Sequence, residues 1–184
     1  MSDSKAGEAP TEAWLRGPIA GIPSPLQPVA HAMVQAREDV ERAVAGLTLD
    51  QLRARPAGVA SLAFHLIHIP GSIDRLLTYA GGQRLSDPQR AALRAESDDV
   101  SLEPAALLAG LAAGVDSALA RLREWPEGSL GDARTVGRAG LPSTVAGLLF
   151  HAAEHAQRHA GQVLVTARLV RSLEKLLMAA TPAG

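Results

Sequence analysis

Three histidines at intervals of four, His151, His155 and His159, stand in HAAEHAQRHAGQ, residues 151–162, of a chain that holds only six histidines. Imidazoles one helical turn apart, about 6 Å along the axis, can aim their nitrogens at one cation at about 2.1 Å. The chemistry on offer is metal ligation by nitrogen. The spacing predicts an apolar seam for this helix through Val145, Leu148, Ala152, His155, His159, Gln162, Thr166, Leu169, Leu173 and Leu177, apolar at both ends and polar in the middle. A buried imidazole with no partner costs about 1–3 kcal/mol, so the polar middle needs something to satisfy it. Gln162 lies almost in line with His155 on a helical wheel, placed to orient a ligand or a bound water, and His151 drifts toward the edge of the seam.

Two imidazoles bind a metal weakly, so a third ligand must come from elsewhere. SLAFHLIHIPGSIDRLLTYA carries His65 and His68, and no other predicted helix has a pair. His31 falls opposite the apolar stripe of its own helix and reads as a surface residue. A lone histidine on an apolar face is more often a hydrogen-bonded core residue than a ligand, a reading that suits His65 or His151 taken singly; the clustering of five favours a metal site. HAAEH, residues 151–155, also fits the H-x-x-E-H zinc-protease arrangement with Glu154 as base. That arrangement needs a distant acidic ligand, and the only later carboxylate side chain is Glu174 on the same helix. Diiron bundles depend on Glu-x-x-His pairs, of which the chain has none.

Composition narrows the choice. The 184 residues suit one domain. Apolar residues make up 47% but aromatics only 3%, so the core is built from Leu, Val, Ile and Ala, which favours packed helices over sheet. A net charge of -1 argues against nucleic acid as a partner. The absence of cysteine excludes thiolate ligands and nucleophiles and leaves His, Asp and Glu. No apolar run is expected to span a membrane and the start lacks a signal-peptide pattern, so a cytoplasmic protein is expected.

The elements that would position the histidines follow from periodicity and punctuation. Residues 1–13 read as a disordered tail, 14–178 as a single domain and 179–184 as a second tail. WLRGPIAGIPSPLQP, residues 14–28, holds four prolines and is expected to lie against the domain as an ordered arm. Helices are predicted over about 29–47, 61–80, 101–125 and 143–178, with short ones in TLDQLRARPAG and from about Asp87. Pro70 should kink the second long helix just after His68. PEGSLGDARTVGRAGLP is predicted to be a long loop. The last helix, roughly 50 Å long, exceeds what a small bundle needs, so its end is expected to overhang or to pair with a second subunit as a homodimer. The fold class expected is all-α, a four-helix bundle with long connections and an ordered N-terminal arm.

SLAFHLIHIPGSIDRLLTYA followed by LLFHAAEHAQRHAGQVLVTAR resembles the DinB-like (DinB/YfiT-like) family of bacterial four-helix-bundle metalloenzymes, over roughly residues 28–170. The matching features are a histidine after a Ser-initiated apolar turn and a His-x-x-x-His ending in a Gly-Gln step. The resemblance implies metal ligands at His68, His155 and His159, with His65 the second choice because an ideal wheel puts it nearer the apolar centre. It also implies a divalent ion, zinc or nickel first, then iron or manganese. Family activities include transferases and isomerases that use low-molecular-weight thiols. The function expected is a metal-dependent enzyme, thiol transferase-like or hydrolase-like on a small molecule. The alternative is a non-catalytic metal- or ligand-binding stress protein whose metal is structural. Glu154, Arg158, Ser72, Arg75 and Tyr79 are candidates for the surrounding pocket.

Overall fold

Ser61 and Thr144 start the two helices that carry the histidines. The Ser61 hydroxyl accepts the Phe64 N–H at 3.1 Å and opens α3, Leu62–Ala80. The Thr144 hydroxyl accepts the Gly147 N–H at 3.0 Å at the start of α6, Val145–Ala180, close to the expected start near residue 143. Such caps satisfy amide groups that a helix start leaves unpaired. The computed structural model describes residues 11–96 and 101–180, with side chains to residue 176. Of the tails expected at 1–13 and 179–184, residues 1–10 and 181–184 lie outside them, as does the side chain of Leu177.

The other helices are α1, Gln27–Val44; α2, Leu49–Arg53; α4, Asp87–Ala95; and α5, Pro104–Arg123. Reciprocal side-chain caps start both short ones, Thr48 with Gln51 for α2 and Ser86 with Gln89 for α4. Among the long helices, α6 packs on both α1 and α3, α3 packs also on α5, and α5 completes the circuit against α1. The core between them is aliphatic and rich in alanine, including Met33, Val40, Leu66, Ile69, Ile73, Leu111, Val115 and Leu149. The chain is thus mainly α-helical, as composition implied.

α3 runs through Pro70 as one element. The ring of Pro70 packs where Gly114 of α5 has no side chain: a Cβ there would lie 2.3 Å from the Pro70 Cβ. Gly71 makes room on another side, where a Cβ would meet the Glu96 carboxylate at 2.6 Å. The Pro-Gly pair is therefore where α3 admits both a neighbouring helix and a carboxylate.

Three expectations change. The long loop after α5 contains an antiparallel hairpin of β1, Ala133–Val136, and β2, Leu141–Thr144, in the register Ala133↔Thr144 to Val136↔Leu141. Gly137 and Gly140 bound its turn with φ of 69° and 60°, a left-handed region that glycine enters without strain. Its short, polar strands hide among glycines that read as loop. The buried face of α6 runs through Val145, Leu148, Leu149, Ala152, Ala153, Ala156, Ala160, Val163, Thr166, Ala167 and Val170, so the expected seam holds at Val145, Leu148, Ala152 and Thr166, whereas its Gln162, Leu169 and Leu173 are exposed. Finally, α5 is long and apolar enough to cross a membrane by length and composition, contrary to the expectation; one face of it, Leu107, Leu111, Val115, Ala118, Leu119 and Leu122, is buried against its neighbours, which include α3 and α1.

The N-terminal arm is held down. Arg16 pairs with Glu38 at 2.6 Å, the Gln27 amide closes on Ile19 and Ile22, and Ile22 and Leu26 are buried. His31 Nε2 meets the Gly17 carbonyl at 2.9 Å, so this histidine fastens the arm. Ala13, expected in the tail, is buried and donates its N–H to Gln35 at 2.7 Å.

Candidate metal centre

Because the alanine and valine line faces the core, His155 and His159 stand at the flank of α6's buried face, half-buried and turned toward α3. His68 of α3 meets them there. One ring nitrogen from each of His68, His155 and His159 lies within 4.8 Å of the others, a set that could hold a metal ion.

The second nitrogens decide which atoms are left for a cation. His68 Nδ1 lies 2.7 Å from Glu96 Oε2, and a carboxylate can only accept, so the Nδ1 carries a proton, and in the neutral ring Nε2 then holds the lone pair. His68 Nε2 in turn lies 2.9 Å from His155 Nε2. His159 engages His65 through an Nδ1 to Nδ1 contact of 3.0 Å, which leaves its Nε2 for other use. Two Nε2 atoms facing each other at hydrogen-bond distance need either a shared proton or a cation between them. The Nδ1 of His155 is buried with no hydrogen-bond partner among the described residues.

Glu96 is the residue the sequence did not disclose. It ends α4, is 5% exposed, and is gripped by Arg75, with Nη1 at 2.5 Å and Nη2 at 3.2 Å. Burial pushes its carboxyl up, but the hydrogen bonds from His68 and Arg75 and the Arg75 charge outweigh that, and it is held below the usual carboxylate range. A carboxylate behind a ligating histidine fixes the ring and its tautomer. Phe64 adds a wall, its ring stacked on His68 with centroids 5.1 Å apart at 16°.

Burial and neighbouring charges hold His65, His155 and His159 below the usual imidazole range. Burial, then the charge of His68, lowers His65 to about 4. Burial, followed by the neighbouring imidazoles and Arg158, lowers His159 to about 4, and His155 is lowered in the same way. An unfolded histidine titrates near about 6.5. Between those values the unfolded chain binds protons that the folded metal-free protein refuses, so stability falls as pH drops through this window. Urea unfolding of the metal-free protein is expected to lose about 1.4 kcal/mol per pH unit for each of the two rings; a flat profile from pH 6.5 to 4.5 would contradict the burial of these imidazoles.

The remaining candidates fall outside the cluster. His151 is exposed and pairs with Glu154 at 3.3 Å, and Glu154 pairs with Arg158, so the H-x-x-E-H segment forms a surface ion network. Gln162, expected beside the ligands, is exposed because Val163 takes the buried position. Ser72 is buried and bonds the Ile69 carbonyl at 2.9 Å, while Tyr79 lies three turns away at the end of α3.

Gly71 offers a test of the Glu96 contact that spares the fold. The Cβ of Gly71→Ala would displace only the flexible ends of Glu96 and Arg75. Folding stability should hold or rise with the better helix propensity, while metal affinity drops by about 10-fold or more, as when a supporting partner is lost. Equal affinity in isothermal titration with zinc would show that Glu96 does not matter to the site.

A sequence profile of the DinB superfamily matches residues 32–163, which include all three clustered histidines. Among solved structures, the crystal structure of a conserved protein from Enterococcus faecalis aligns with a TM-score of 0.65 and 22% identity, covering 80% of this chain and 97% of that one. None of the curated proteins matches the chain significantly. The likeness to the E. faecalis protein extends the shared fold over most of both chains, and the profile match spans well over half of the sequence: the chain belongs to the DinB superfamily.

Proposed function

We propose that this protein is a metal-dependent enzyme built on a four-helix bundle of α1, α3, α5 and α6, with His68, His155 and His159 as ligands to one divalent cation. The observation that carries the reading is the facing of the His68 and His155 Nε2 atoms at 2.9 Å while Glu96 occupies the other nitrogen of His68. Three neutral imidazoles suit zinc or nickel, with iron or manganese as further candidates. A cation with three protein ligands supplies a Lewis acid able to acidify a bound water or thiol.

The chain's own residues prepare that site. Glu96 and Arg75 lock the His68 ring, and His65 holds His159 from behind. His65 is thereby committed to another ring, and His151 to Glu154, which argues against either one closing the site as a fourth ligand. The rings of His68, His155 and His159 are half-buried rather than sealed in the core. With no cysteine in the chain, a thiol nucleophile must come with the substrate, so the reaction proposed is transfer of a low-molecular-weight thiol to an electrophile, or hydrolysis.

The test is metal content of the purified protein together with turnover on electrophiles supplied with bacterial thiols. Stoichiometric metal with thiol-dependent turnover, both lost in His155→Ala, is expected. Stoichiometric metal without turnover would instead favour a structural metal in a non-catalytic protein. A homodimer through α6 is also proposed, supported by the exposed apolar line Val165, Leu169, Leu173 and Leu176; sedimentation showing only monomer would rule it out.

A further inference from the structure

A cleft of about 870 Å³ opens between the C-terminal end of α3 and the β1–β2 hairpin, away from the histidines. Its wall at Tyr79 lies eleven residues beyond His68, roughly 16 Å along the helix. Among the described residues four arginines line it, Arg84, Arg90, Arg134 and Arg138, and no acidic side chain does.

The four are not equivalent. Arg134 is structural: its Nε donates to the Ala80 carbonyl at 2.8 Å and so ties the hairpin to the end of α3, and its charge faces Asp132 at 3.5 Å. Arg90 is spent on Asp87 and the Leu85 carbonyl within its own turn. Arg84, just after α3, and Arg138, in the hairpin turn, are exposed and have no hydrogen bond or ion pair among the described residues. Each therefore keeps a full fork of donors beside the cleft.

We propose that this cleft binds a small, multiply charged anion, bearing phosphate or carboxylate groups, between Arg84 and Arg138. Guanidinium forks match both groups with paired charge-assisted hydrogen bonds. Two unpaired arginines beside two already neutralised ones give a net local charge of about two, suited to a dianion. The cleft's size falls in the range of small-molecule sites, and Tyr79 and Leu85 supply an apolar wall for the rest of such a molecule. None of the residues lining the cleft belongs to the histidine cluster, so an anion would bind there with or without a metal.

Titration calorimetry at low salt, with pyrophosphate in one arm and succinate in the other, tests it. Binding is expected in the wild type and in His155→Ala, weakened at least roughly tenfold in the Arg84→Gln/Arg138→Gln double variant, and unchanged in Lys175→Gln, far along α6. Whichever anion binds names the chemistry. The proposal is overturned if neither binds, if the double variant binds as tightly, if Lys175→Gln loses as much, or if binding vanishes in His155→Ala, which would place the anion at the histidines.

Discussion

Gly114→Ala is expected to lower the thermal midpoint by about 5 °C or more, whereas Gly110→Ala, one turn earlier in α5, is expected to raise it. Helix propensity alone favours alanine at both positions by about 1 kcal/mol. The surroundings decide the sign. At Gly110 an added methyl meets nothing within 4 Å, but at Gly114 it would sit 2.3 Å from the Pro70 Cβ and 3.2 Å from the Pro70 Cα. The second atom is backbone of α3, so relief requires the two helices to move apart, and overpacking of this kind costs about 1–3 kcal/mol or more. Because α3 carries His65 and His68, the variant should also weaken metal binding. Matched increases in both variants, read by calorimetry, would show that α3 and α5 do not meet closely at Pro70.

His159→Ala is expected to abolish measurable metal binding while making the metal-free protein more resistant to acid. The loss should exceed the roughly 10- to 100-fold that removal of a supporting partner costs, since a ligand is deleted. The acid effect has the opposite sign for a physical reason: the ring's affinity for protons is depressed to about 4 by burial and by neighbouring imidazoles, so it disfavours the folded state once the pH falls below the unfolded value. Without it, the decline in stability between about pH 6.5 and 4.5 should be shallower. A variant that binds metal like the wild type would remove His159 from the site. One that unfolds at neutral pH would show a packing role instead.

Much of this architecture was legible. Ser61 capped the expected helix, the caps at Thr48 and Ser86 began the expected short ones, and the four-residue spacing of the histidines put His155 and His159 side by side. The wheel and the family pattern, which disagreed over His65 and His68, describe two different jobs: His65 is the buried ring behind His159, and His68 is the ring in the cluster. The expected seam of α6 matches the buried face at Val145, Leu148, Ala152 and Thr166 and departs from it at Gln162, Leu169 and Leu173, because alanines at 153, 156, 160 and 167 make a neighbouring line apolar enough to bury. His155 and His159 stand at the flank of that face. Glu96 was hidden in a polar connection, yet α3 carried its signal. His68 and Arg75 lie two turns apart on one face, Arg75 is buried, and a buried guanidinium demands a carboxylate. Which carboxylate answers is a matter of how α4 folds back, and no local pattern shows that.

Imidazoles from α3 and α6 are proposed to meet at one cation, and X-ray absorption at the metal edge, on protein reconstituted with zinc, reads their nitrogens as scatterers. One zinc per chain is expected, with three imidazole nitrogens at about 2.0–2.1 Å, and a shell that loses imidazole scattering in His155→Ala. A shell of oxygens alone, or one that His155→Ala leaves unchanged, would contradict it.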